Sequence, residues 1–248
     1  MNSRSLFLLL PACWGLAIVP AHSASKTFHD LGVSFAYDDA VLRSPKAHRE
    51  KAVVLTTPTD VPEGVAPAHV EIRFAGDRGR VWVFPTTDPT VKNFRQAYPP
   101  HADAQKELRA VLRERPAERH ELPVLPWADV ATPFNKKIRY LDFQGGSGVA
   151  WLTQWTIDPA PVNNAQLHYV FQGLTKDGAH YVAAEFHVTH PSLPGKAEVK
   201  DYRRFEKQYP AYLAKAVKEI AAQPDDSFAP ALTQLRTMLR SIEIAPAR

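Results

Sequence analysis

The chain has a single cysteine, Cys13, and it stands within the first 25 residues. If that segment is removed, no thiol remains. Disulfides, paired-cysteine zinc sites and a cysteine nucleophile are then excluded, and the fold must rest on its core. A long hydrophobic run is missing too. The apolar stretch Leu6–Val19 contains Pro11 and is shorter than the about 20 residues a spanning helix needs. There is no excess of one charge: the formal net charge is +4, and basic residues alternate with acidic ones in "KELRAVLRERPAERHE" and "KDYRRFEKQYP". Such mixed runs are solvated helix faces rather than a nucleic-acid footprint. Internal repeats, low-complexity tracts, a Walker loop and H-E-x-x-H are all missing. The 22 prolines gather in short connections such as "TPTDVPEGVAP" and "DPAPVNN". None is long enough for an interdomain linker, so one domain over 26–248 is expected.

What is present begins with the leader. Arg4, the apolar stretch Leu6–Val19 and the small-residue patch "AHSAS" follow the order of a secretory signal peptide. Ala21 with Ser23, or Ser23 with Ser25, suit the small pockets of a signal peptidase. The mature chain is expected to begin near residue 24 to 26 and to be periplasmic or secreted, with no transmembrane anchor. The rival reading is a lipid anchor at Cys13, since "LPAC" resembles a lipobox. It departs from that pattern at Pro11 and at the bulky Trp14, and it leaves the apolar residues after Cys13 unused. Removing residues 1–25 as a cleaved signal peptide leaves 223 residues, enough to bury a core without staples.

Val33, Phe35 and Tyr37 alternate with the period of a strand, and "KAVVLTT", "HVEIRFA" and "RVWVFPT" read as three further strands. A helix over 103–115 follows, with Asp103 as its candidate N-cap and Pro116 as its stop. Two hairpins come next, "KIRYLDFQ" with "VAWLTQWTI" around the turn "GGSG", and "LHYVFQGLT" with "AHYVAAEFHV" around "KDG". Residues 198–222 keep one apolar helical face, and Pro210 is expected to kink this helix or begin a second. A last helix is expected from Phe228 to Arg240, capped by Asp226 or Ser227, and "SIEI" reads as a short closing strand. Hairpin-joined strands with helices between the sets predict an α+β fold, a mostly antiparallel sheet with helices packed on it.

"LGVSFAYDDAVL" resembles the opening hairpin of the PsbP/Mog1-like fold, and "LTQLRTMLRSIEI" resembles its closing helix and strand. The middle of the chain, from "YLDFQGGSGVAWLTQW" to "FQGLTKDGAHYVAAEFHVTHPSLP", resembles exported bacterial proteins of unknown function. The resemblance implies an α/β sandwich of binding or assembly type. It implies no cofactor and carries no catalytic residues. The insert at 87–125 and the helical region 198–222 exceed what a minimal domain of that kind contains.

Little in the sequence points to chemistry. "GGSGV", Gly145–Val149, lacks the last glycine of the serine-hydrolase elbow and sits between strands, so it reads as a hairpin turn. The histidines carry more. A two-residue type I′ turn at Asp177–Gly178 would pair Thr175 with His180, Phe171 with Ala184, Tyr169 with Phe186 and His168 with His187. A three-residue turn would shift each pair by one, to Phe171 with Ala183. The first register stacks aromatic on aliphatic along one face and is preferred. It also gathers His168, His187 and, one diagonal away, Glu185, a residue set able to ligate zinc. Trp151 and Trp155 share a strand face with Val149, Thr153 and Ile157, as core packing or as an aromatic groove.

Two functions are therefore expected in competition. The first is an exported, non-enzymatic binding or assembly module of the cell envelope that recognises a protein or envelope component through a groove between sheet and helices. The second is a metal-dependent hydrolase using His168, Glu185 and His187. Convergence of three ligand atoms on an open cleft would favour the second.

Overall fold

The computed structural model describes residues 25–56, 62–87, 100–126, 131–196 and 198–245. The leader and Cys13 lie outside the described residues. The fold is α+β: antiparallel sheets with helices packed against them. Its centre is a seven-stranded sheet in the order β3 (Lys46–Glu50), β6 (His69–Arg73), β7 (Gly79–Pro85), β11 (His180–His187), β10 (Leu167–Thr175), β9 (Gly146–Gln154) and β8 (Lys136–Phe143). Every neighbouring pair is antiparallel. In β9 and β10 almost every residue is buried. Both faces of the sheet are therefore covered, which is why these strands read as near-continuous apolar runs.

One face carries the larger core. The hairpin of β1 (Ser25–Asp30) and β2 (Val33–Asp38) brings Phe28, Val33 and Phe35 onto it. β12 (Glu243–Ile244) completes that small sheet by pairing with β2. Two helices, α2 (Tyr202–Ala222) and α3 (Leu232–Arg240), close the same side, and α3 buries Leu232, Leu235, Met238 and Leu239. On the opposite face, α1 (Pro100–Glu114) lays Ala104, Leu108 and Val111 over Trp82, Trp151 and Tyr181. A further hairpin, β4 (Val53–Thr56) with β5 (Pro62–Ala66), stands apart from both sheets. Among the described residues no helix is long and apolar enough to cross a membrane.

Several boundaries differ from the sequence reading, each for a local reason. α1 begins at Pro100, so Asp103 lies inside its first turn, where a carboxylate favours the helix dipole, and does not cap it. α2 begins after Asp201, whose side chain accepts from the Arg204 N–H at 3.0 Å, and it continues unbroken through Pro210. α3 starts only at Leu232. Phe228 and Ala231 have extended backbones, Ala231 is the cap position without a side-chain bond, and Asp226 instead binds the Thr233 hydroxyl. Ile157 is 82% exposed and has left the face of Trp151.

"GGSG" is mostly strand rather than turn. Phe143 pairs with Gly146, leaving only Gln144 and Gly145 in the connection, and Gly145 has φ 89°. Gly148 sits under the Phe171 ring, and a Cβ there would also stand 2.8 Å from the Gln172 carbonyl oxygen. The strand glycines let Phe143 and Phe171 lie against the sheet, edge to face with centroids 5.9 Å apart.

Candidate functional site

β10 and β11 pair in the expected register: His168 opposite His187, Tyr169 opposite Phe186 and Phe171 opposite Ala184. The turn that sets it is of a different type. Only Gly178 has a positive φ, 68°, whereas a type I′ turn needs two such residues. The Gly178 N–H instead donates to the Thr175 carbonyl at 2.9 Å, and the Asp177 carboxylate accepts from the Ala179 N–H at 2.9 Å. Register was decided by the aromatic and aliphatic alternation, which a one-residue slip would turn inside out.

His168, Glu185 and His187 thus do meet, on the α1 side of the sheet. His168 Nδ1 lies 2.8 Å from Glu185 Oε1, and the two imidazole centroids are 5.8 Å apart. The 2.8 Å approach is close enough for an ion pair, yet Nδ1 completes no hydrogen bond, so its direction and not its distance is at fault. His187 Nε2 is 2.7 Å from the Asn164 carbonyl oxygen and must carry the proton that bridges them. Asn164 is itself fixed, its amide donating to the carbonyls of His190 at 3.1 Å and Leu193 at 2.9 Å.

The zinc reading needs three of the trio's ligand atoms to converge. One histidine nitrogen is turned to a main-chain carbonyl and another is turned against Glu185. Among the described residues no three His, Cys, Asp or Glu side chains converge as a metal-holding group. His168, Glu185 and His187 are neighbours, not a ligand set.

The trio lines a cleft of about 630 Å³. Its floor is the sheet and its roof is the segment Val124–Pro126, not a helix as the sequence suggested. Gln172 holds the roof in place: its Oε1 accepts from the Leu125 N–H at 3.1 Å and its Nε2 donates to the Leu125 carbonyl at 3.0 Å. Trp155, half-buried, stands at one end with its ring 6.1 Å from His168. Trp82 and Arg80 lie at the other end. The Arg80 guanidinium is already engaged, 3.3 Å from Asp77 and 3.7 Å from the buried Glu71. Trp151 is fully buried core and does not reach the cleft. Arg80, Trp82 and Gln172 were missed from sequence. Gln172 had a signal, a polar side chain between Val170 and Leu174 on one strand face.

Among the described residues around the cleft there is no serine, threonine, cysteine or lysine. Thr153, opposite His168, spends its hydroxyl on the Phe134 carbonyl at 2.7 Å. A serine–histidine contact does occur elsewhere. His190 Nε2 is 2.9 Å from the Ser227 hydroxyl, which donates to the Pro224 carbonyl at 2.6 Å. Nε2 is therefore the donor to Ser227, and Nδ1 accepts from the Ser192 N–H at 3.2 Å. A histidine that donates to the serine cannot take its proton, so the pair is structural.

Burial holds the His190 pKa below the ordinary histidine value, and the Lys137 charge pushes it the same way. Acid then protonates the unfolded chain first. The stability from neutral His190 is fully present above about pH 6.5 and is lost as the pH falls from there through the lower folded value. His180, held low by burial against the opposing charge of Asp177, adds to the same slope. The thermal midpoint should fall from neutral pH to about pH 5, and His190→Gln should flatten that fall without abolishing it. An unchanged slope in the variant would show that His190 is not a source.

No protein-family model matches the chain, and a search of the curated proteins finds no match.

Proposed function

We propose that the chain is an exported, non-enzymatic binding module of the cell envelope whose ligand, a protein or another envelope component, occupies the cleft beside His168, Glu185 and His187. One observation carries the reading: the cleft gathers polar side chains that are held by main-chain and neighbour contacts, with no serine, threonine, cysteine or lysine among its described lining residues. Such a constellation is suited to positioning a partner. The leader, with Arg4, the stretch Leu6–Val19 and "AHSAS", supports export. The end motifs that resemble PsbP/Mog1-like proteins support a binding or assembly role.

The test uses the tryptophans at the cleft. Envelope material separated into peptide, polysaccharide and lipid fractions is titrated against the full chain while indole emission is followed. One fraction should give a saturable, reversible change, and mass spectrometry should recover its bound component intact. Conversion of that component in proportion to time would overturn the reading in favour of a hydrolase. Silence from all three fractions would overturn it as well.

A further inference from the structure

The sheet beneath the cleft is a regular grid, only part of which lines the cleft itself. Thr153, His168 and His187 form one row across β9, β10 and β11. Trp151, Val170, Glu185 and Arg80 form the next, and Val149, Gln172, Ala183 and Trp82 the one after. Trp155 lies one row beyond the first, on β9's side, and Trp82 lies in the third row on β7. With strands about 4.8 Å apart and rows about 6.8 Å apart, the two tryptophan positions, three strands and three rows apart, are on the order of 25 Å from each other. They cannot enclose one small ligand. They mark the ends of an elongated one. A volume of about 630 Å³ spread over that length leaves a cross-section of about 25 Å², narrow enough for one extended chain only.

We propose that this ligand is a short, uncharged oligosaccharide lying diagonally across the grid, a proposal that rests on the reading of the cleft as a binding site. Its end ring stacks on the half-buried face of Trp155. Its hydroxyls meet Glu185, whose side chain is 32% exposed and whose one ion-pair approach among the described residues is to His168, and the imidazole edges of His168 and His187. Trp82, 8% exposed, closes the far end with its rim. Two other chemistries fit poorly. An anionic chain would face the Glu185 and Asp77 carboxylates, while the one cation, Arg80, is already shared between Asp77 and Glu71. A peptide would need main-chain partners for its own N–H and C=O groups. The floor strands spend theirs on the ladder, and the roof residue Leu125 spends both of its own on Gln172. What faces the cleft is side-chain donors, acceptors and indole, the set that hydroxyls and ring C–H faces use.

Calorimetric titration of the full chain with cellotetraose and with chitotetraose, beside an uncharged tetrapeptide, tests this. Saturable heat is expected with at least one sugar. Trp155→Ala should weaken it roughly tenfold, the worth of one stacked ring. Glu185→Gln, which keeps the shape and removes the charge, should weaken it too. Thermal melts of both variants guard against misfolding. No heat with either sugar, or unchanged affinity in Trp155→Ala with a normal melt, overturns the proposal. Heat with the tetrapeptide alone overturns the oligosaccharide but leaves the binding module standing. Silence here together with silence from every envelope fraction removes both.

Discussion

Replacing Asp225 by alanine is expected to lower stability by about 3–5 kcal/mol, the cost of stranding buried charge. Asp225 stands between two cations: its Oδ1 is 2.8 Å from Lys137 Nζ, and its Oδ2 is 2.9 Å from Arg236 Nη2. The Lys137 and Arg236 side chains are only 8% and 10% exposed. Burial alone would raise the Asp225 pKa, but the Lys137 hydrogen bond and the two positive charges outweigh it and leave it below the usual value. Without the carboxylate, Lys137 keeps its bond to the Gln223 carbonyl at 2.6 Å. Arg236 keeps less. It lies beside the Tyr169 hydroxyl, yet neither its Nη1 nor that hydroxyl completes a hydrogen bond. For a chain of this size the loss corresponds to a drop in thermal midpoint of about 6–20 °C. Asp225→Asn should cost nearly as much, because an amide offsets neither charge. Exchanging all three residues for apolar ones should recover most of it, since replacing a whole buried network is often neutral. A small effect of Asp225→Ala, measured by thermal and denaturant melts, would show that water reaches these cations.

A loss of similar size is expected at the other face. Trp151 is fully buried beneath α1, paired across the sheet with Val170. Truncating a buried tryptophan to alanine costs about 3–5 kcal/mol, through lost transfer energy and the cavity left behind. The indole Nε1 is buried and makes no hydrogen bond. Trp151→Phe removes that unsatisfied donor while keeping most of the ring. It should therefore cost less than about 1.5 kcal/mol in a denaturant melt. If phenylalanine proved as damaging as alanine, volume and not the polar atom would govern the position.

Much of the central sheet was legible in the sequence because strands that alternate strictly, or are apolar throughout, permit few arrangements. Two candidate turns offered two registers, and Tyr169 and Phe171 against Phe186 and Ala184 favoured the one that brings His168 to His187. The edge was not legible. β3 is "KAHRE", polar as befits a strand at the margin of a sheet, and β5 is "PEGVA", in which proline and glycine hid the pairing. The ion network was hidden for another reason. Lys137 reaches inward through a bulge between Lys136 and Arg139, where its own φ is 55°, and no sequence pattern marks such a break. Arg236 did leave a trace. It falls one turn after Leu232 on the apolar face of α3, where an arginine needs a buried partner. In the cleft, Trp155 was found and Trp82 was not. Trp82 lies between Val81 and Val83, and a strand buried on both faces gives no clue to which side matters.

The pairing of β12 with β2 bears on how the chain is made. Ser241 accepts from the Ala36 N–H at 2.9 Å across 205 residues of sequence, and the Ala245 N–H donates to the Gly32 carbonyl at 2.8 Å. A ribosome delivers Val33 and Phe35 long before their cover, α3 and β12. Until α3 and β12 emerge, the early hairpin has an apolar face and a bare edge but no partner for either. Closing so long a loop costs little more than closing a shorter one, because the entropy grows only with the logarithm of length. What it costs is time, since distant pairings form slowly. Completion of this fold is thus a late event, and a nascent chain truncated before β12 should be a ready client for whatever binds unfolded protein.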